Sequence, residues 1–236
     1  WLQKLIARES SKINVNRKSV FLFESIASLM YIDTKQVRET TVGGLLMRRP
    51  RIVRHGRVAC YHCVARVVGA QFLLDDAGKE KLVQMMWRQA AFSGIEIVTY
   101  CVMSNHFHVL IRVPAEQPQL SDAMLLERVE ALYGKRSEES MFLREAVREH
   151  GAVFEGVRER LVTRMGNVSI FMKEIKQRFS RWYNRGHDRF GTLWAERFRS
   201  VLVEDGGVAM EAVAAYIDLN PVRAGLVEDP KDYRFC

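Results

Sequence analysis

Apolar residues recur along this chain with two different periods, and the switches between them mark out the elements. Residues 58–68 are rich in β-branched and aromatic side chains, which predicts a strand. Over 75–93, Leu82, Val83, Met86, Trp87 and Ala90 recur at helical spacing behind Asp75 and Asp76, which predicts a helix. Residues 95–103 and 106–113 are two more strand-like runs, joined by Ser104-Asn105 and closed by Pro114, so they predict an antiparallel hairpin. A charged stretch over 121–164 has no β character and reads as helical. A helix over 170–185, a strand over 198–203 and a last helix that opens at Gly206-Gly207 and stops at Asn220-Pro221 complete the order. With the charged insert set aside, the core order is β-α-β-β-α-β followed by a helix. That is the ferredoxin-like arrangement of the α+β class, an antiparallel sheet with helices on one face, in which the third strand should be central.

The rest of the chain fits around that domain. Residues 1–46 carry apolar positions at mixed spacing and read as an N-terminal helical extension of unassigned role. Residues 47–57 form a basic connector with Arg48, Arg49, Arg51, Arg54 and Arg57 and no acid, either a solvated linker or a phosphate-contacting arm. Residues 58–236 form the candidate catalytic domain, with a helical insert over about 115–168. The chain begins at Trp1, as a fragment or a processed form would.

Composition narrows the class. With 236 residues and 48% apolar content the chain can bury the core of one catalytic domain with additions. A formal charge of +8 and a pI near 9.5 point to a polyanionic partner. The most apolar early stretch, 20–32, is interrupted by Glu24 and Ser25 and falls short of the roughly 20 residues a membrane span needs, so no membrane partner is expected. No signal peptide is recognisable, which makes a cytoplasmic location the default. The four cysteines, Cys60, Cys63, Cys101 and Cys236, are expected to be thiols. Cys60-Tyr-His-Cys63 lacks a second ligand pair at zinc spacing and reads as packed small hydrophobes.

Two motifs carry chemistry. In His106-Phe107-His108 the histidines point to one face of the strand, and Phe107, Val109, Ile111 and Val113 to the other. Two imidazoles so spaced can chelate a borderline divalent ion, but two nitrogens alone leave a weak, open site. Tyr216 and Asn220 share a helix face, so the Asn220 amide oxygen is a candidate third ligand, with room left for water and phosphate oxygens. Taken singly, a His-x-His strand is more often a surface pair and a helix tyrosine more often packs its ring. Between the motifs lies a basic helix whose stripe of Phe171, Ile175, Phe179 and Trp182 should pack while Arg178, Arg181 and Arg185 face out. With Lys173, Lys176, Arg197 and Arg199 these are the candidate DNA-binding residues. Phe190 and Trp194 in the following loop either stack on bases or cap the core.

Four blocks then match in one order: Thr99-Tyr-Cys-Val-Met-Ser-Asn-His106-Phe-His108, Phe171-Met-Lys-Glu-Ile-Lys-Gln-Arg-Phe, Gly191-Thr-Leu-Trp-Ala-Glu-Arg-Phe and Ala215-Tyr216-Ile-Asp-Leu-Asn220-Pro-Val-Arg-Ala-Gly. Over about residues 57–235 the chain resembles the REP-associated tyrosine transposases, within the single-tyrosine, His-hydrophobic-His transposases of bacterial insertion sequences. The resemblance implies that His106 and His108 are metal-binding, that Tyr216 is the nucleophile, and that Asn220 is the third polar ligand. It also implies cleavage and rejoining of single-stranded DNA near hairpins, with Mg2+ or Mn2+ (magnesium or manganese) and a 5′-phosphotyrosine intermediate, in a bacterial, nucleoid-associated protein. Monomer and homodimer both stay open. Two other readings remain: a domesticated relative that binds hairpins without cutting, and a metal-dependent phosphodiesterase of RNA or nucleotides. The latter should show a second His-x-His or His-x-Thr motif, and the sequence has none.

Overall fold

Alternation along the first long strand builds the two sides of the domain. In a computed structural model that describes residues 56–116 and 119–236, together with an antiparallel pair of two-residue strands at Thr41–Val42 and Leu45–Leu46, Ala59–Arg66 forms strand β1. Its Tyr61, Cys63 and Ala65 enter one core, while Cys60 enters another on the opposite face. The expected N-terminal extension and basic connector otherwise lie outside the described residues, apart from Gly56 and Arg57.

Helix α1, Asp76–Ser93, starts where Asp75 accepts a hydrogen bond from the Gly78 N–H at 2.7 Å, and ends at Gly94 in the left-handed region, φ 66°. Strands β2 (Glu96–Val102) and β3 (His106–Val113) follow as the expected hairpin, and β4 (Arg199–Val203) comes last. The sheet order is β2-β3-β1-β4 with every neighbouring pair antiparallel, so the histidine strand is central. This is the ferredoxin-like order. Helix α5, Val168–Gly186, is capped by the Asn167 side chain and lies beside α1 on one face of the sheet. There Phe171, Ile175 and Phe179 pack with Leu82, Met86, Phe107, Val109 and Ile111. Fully burying one such side chain contributes about 1.5–3 kcal/mol.

The predicted insert is three helices, α2 (Asp122–Tyr133), α3 (Glu138–His150) and α4 (Glu155–Val162). They gather Leu125, Val129, Leu132 and Leu143 around Phe92 from α1, which makes a small second core.

Helix α6, Gly207–Asp218, covers the other face of the sheet, where Val213 and Ile217 pack on Cys60, Cys101, Leu110 and Val203. It stops at Asp218, and Pro221 then enters a further short helix, α7 (Asn220–Arg223), because proline is tolerated in a first turn. The tail closes along β2, with Val102 N–H donating to Phe235 O at 2.9 Å and Tyr233 O–H to Val102 O at 2.8 Å. Cys101 and Cys236 form a disulfide, which corrects the expectation of four thiols: tail and strand meet only in the folded chain. Cys60 and Cys63 lie buried outside that disulfide, on opposite faces, as their spacing in a strand requires. Among the described residues no helix is long and apolar enough to cross a membrane.

Candidate active site

The antiparallel register of β1 and β3 places Arg66 opposite His106, Val64 opposite His108 and His62 opposite Leu110. Side chains at these positions share one sheet face, the one covered by α6. His62, His106 and His108 therefore converge. The His106 and His108 ring centroids are 5.0 Å apart, and those of His62 and His108 are 5.1 Å apart. His62 Nε2 lies 2.9 Å from His108 Nδ1, and His106 Nδ1 lies 2.6 Å from Asn105 Oδ1.

Helix α6 delivers Tyr216 to this cluster. Val213 and Ile217, on the face that meets the sheet, fix its depth, and Thr99 Oγ1 donates to Asp218 Oδ1 at 2.6 Å to fix its end. The Tyr216 ring meets His108 edge-on at 6.0 Å and His62 at 6.1 Å between centroids. The Arg223 guanidinium lies 4.9 Å over the same ring. Asn220 donates its Nδ2 to the carbonyls of Tyr216 and Ile217 at 2.9 and 3.2 Å, which closes the helix end and leaves Oδ1 as its acceptor.

Burial sets the charge state of the imidazoles. His62 is pushed down to about 4 by loss of water alone. His106 is also pushed down to about 4, first by burial and then by the Arg66 charge. His108 is held well below 6.5 by burial, then by His62, His106, Arg66 and Arg223. All three are neutral near pH 7, the form that binds metal. A divalent cation fits the pair: both imidazoles have Nδ1 engaged by a neighbour, so Nε2 is the nitrogen left to ligate. Among the described residues no three His, Cys, Asp or Glu side chains gather as a metal site, and His62 directs its Nε2 at His108 instead. The two free Nε2 atoms, of His106 and His108, are the ones that could hold a cation.

The basic residues read from the sequence divide. Lys173, Arg181 and Arg185 are exposed on α5, as the helical period predicts, but α5 packs on the sheet face opposite the histidines. Arg178 lies 4.6 Å over the Tyr133 ring and, with Lys81 and Arg88, lines a shallow cleft between α1, α2 and α5. Lys176 donates to Glu196 O at 2.6 Å, and burial pushes it down to about 8. Arg197 is exposed, and Arg199, in register with Val64 on the histidine face, pairs with Glu196 at 2.7 Å. Phe190 is 87% exposed, whereas Trp194 is buried against Phe107 and Phe179.

The sequence reasoning missed His62, Arg66 and Arg223 at the site. Arg223 lies beyond the Asn220-Pro221 stop at which the sequence ends the helix, and only the short following helix α7 brings it over Tyr216. His62 and Arg66 had no signal beyond strand alternation, because only the pairing of β1 with β3 brings them to the motif.

Comparison with known proteins bears on the histidine strand and on the fold. Residues 57–136 match the family model for IS200-like transposases, a stretch that contains the histidine strand and ends before Tyr216. The solved structure of a REP-associated tyrosine transposase bound to a REP hairpin shares the fold, with a TM-score of 0.51 at 14% identity over 80% of this chain and 81% of that one. A crystal structure assigned as a transposase from Deinococcus radiodurans R1 gives a TM-score of 0.32 at 17% identity, over 73% of this chain and 96% of that one. No curated protein matches the chain. The family model thus supports the resemblance to IS200-like transposases over that stretch, and the first of these structures shows a shared fold.

Proposed function

We propose that this chain is a DNA transposase, a metal-dependent endonuclease and strand transferase that cuts single-stranded DNA near hairpins through a 5′-phosphotyrosine intermediate. The observation that carries this reading is the packing of Tyr216 against His62 and His108 within one chain, 6.0–6.1 Å between rings. Similarity to a transposase that was solved on a REP hairpin supports hairpin DNA as the partner.

The residues divide the work. His106 and His108, through Nε2, and Asn220, through Oδ1, would hold the cation. Bound there, Mg2+ or Mn2+ would withdraw electron density from the scissile phosphate. The Tyr216 phenol oxygen attacks phosphorus, its proton passes to solvent, and the 3′-oxygen leaves and is protonated to a 3′-hydroxyl. A phosphodiester is exchanged for a phosphotyrosine ester, so a later 3′-hydroxyl can reverse the step without ATP. Arg223 over the Tyr216 ring and Arg66 beside His106 supply positive charge where the pentacoordinate phosphorus gathers negative charge. Exposed Lys173, Arg181, Arg185 and Arg197 hold flanking DNA away from the reacting phosphate. In the cell the protein would work in the bacterial cytoplasm, on the nucleoid.

The test is incubation with labelled single-stranded DNA bearing a hairpin from the flanks of the gene, with Mn2+, followed by denaturing electrophoresis. A protease-sensitive adduct is expected from the native protein and none from Tyr216→Phe, which should still bind the oligonucleotide. Adduct with Tyr216→Phe would place the nucleophile elsewhere. Binding without adduct in the native protein would favour the non-cleaving hairpin binder.

A further inference from the structure

His62 lies outside every motif that pointed to chemistry, yet strand pairing sets it against the histidine pair. It sits diagonally from His108 across the β1–β3 ladder, within reach on the same face. Its side chain is 1% exposed, its ring stacks on His108 at 20° between planes, and its Nε2 is 2.9 Å from His108 Nδ1. A neutral imidazole has one N–H and one lone pair, so at this distance one ring donates and the other accepts.

The neighbouring contact shows which arrangement serves the site. Asn105 Nδ2 donates to Ala70 O at 3.3 Å, so Oδ1 is the atom that faces His106 Nδ1 at 2.6 Å. Only an N–H can face that oxygen, and His106 is therefore the Nδ1–H tautomer with a bare Nε2. A second imidazole on the same strand can share a cation with it only if its own Nε2 is bare as well.

We propose that His62 is a positioning residue that accepts the Nδ1–H of His108, fixing the tautomer and ring plane in which His108 Nε2 is the free ligand. The proposal rests on the cation site described above and extends it to the residue that orients it, as partners of ligating histidines do in metal sites. His62 Nδ1 then carries the remaining proton and has no partner among the described residues. An aliphatic side chain would fill the same space without an unmet hydrogen bond, so packing alone does not account for an imidazole here.

The full chain, labelled with 15N and free of metal, is examined by long-range 1H–15N spectroscopy of its imidazoles at neutral pH. Both His106 and His108 should show the Nδ1–H tautomer. In His62→Leu, His108 but not His106 should lose it; in His62→Gln, whose Oε1 can accept, it should persist. Mn2+ titration followed by electron paramagnetic resonance should show affinity weakened roughly 10–100-fold in His62→Leu and recovered in His62→Gln. Nε2–H at His108 in the native protein overturns the proposal, and so does a leucine variant with unchanged tautomer and affinity, or a glutamine variant as weak as the leucine one. Should His62→Leu fail to fold, the native and glutamine spectra still decide. The expected tautomers in a native protein that binds no Mn2+ uphold the positioning role and remove the cation reading instead.

Discussion

His108 meets four functional groups at once: His62 at its Nδ1, the His106 ring beside it, and the Tyr216 ring and the Arg223 charge on the side of α6. Replacing His106 and His108 together by Ala should abolish Mn2+-dependent adduct formation; cutting that survives in chelator would remove both from the chemistry. Arg223→Gln tests charge at the reacting phosphate, because the glutamine keeps polarity and loses the cation. Removing one aimed donor from developing charge typically costs about 10²–10³ in rate, so single-turnover adduct formation should fall by about that factor with oligonucleotide affinity little changed. An equal fall in affinity would make Arg223 a general DNA contact. The common face of His106 and His108 was legible from spacing and the place of Tyr216 from the resemblance, whereas His62 and Arg66 were not: neither lies near the histidine motif in sequence.

Helix α6 is the element that turns a surface tyrosine into part of a site, and its attachment is specific. Thr99→Val removes the hydroxyl that donates to Asp218 at 2.6 Å and nothing larger. It should cost about 1 kcal/mol in stability and slow adduct formation, and because Asn220, two residues beyond Asp218, is a proposed ligand, it should weaken Mn2+ affinity as well; no change in rate would mean that packing alone seats the helix. Helix α5 shows the opposite outcome. Its amphipathic period places Phe171, Ile175 and Phe179 inward and Arg181 and Arg185 outward as the sequence predicts, whereas Arg178 is half-buried over Tyr133 and Trp182 only half-buried. Periodicity does not say which side of the sheet the helix covers, because it fixes which stripe is buried and not what buries it. Neutralising Lys173, Arg181 and Arg185 together should flatten the salt dependence of DNA binding by about two to three units of slope, without reducing adduct yield at saturating DNA. Loss of adduct at saturation would bring α5 to the reacting phosphate.

Across the whole molecule, the cost of holding three imidazoles neutral links stability to pH. Their folded pKa values lie below the unfolded value near 6.5, at about 4 for His62 and His106. The unfolded chain therefore binds more protons than the folded one between those limits. The stability these groups contribute is complete above about pH 6.5 and is lost as pH falls towards about 4. Urea midpoints measured from pH 7.5 to 4.5 should drop steadily, and His62→Gln should make that slope shallower; an equal slope would mean that His62 titrates as it does in water. Chain order and local period, both properties of neighbours in sequence, sufficed to determine the α+β class, the hairpin at Ser104-Asn105, the helical insert and the common face of His106 and His108. They sufficed because strand and helix geometry repeat every few residues, whatever the chain packs against. Which side of the sheet α5 covers, that Cys101 meets Cys236, and that His62 stands against His108 were decided by the tertiary structure alone. Those facts depend on the register between β1 and β3 and on the burial that follows, both settled by contacts between residues far apart in the chain.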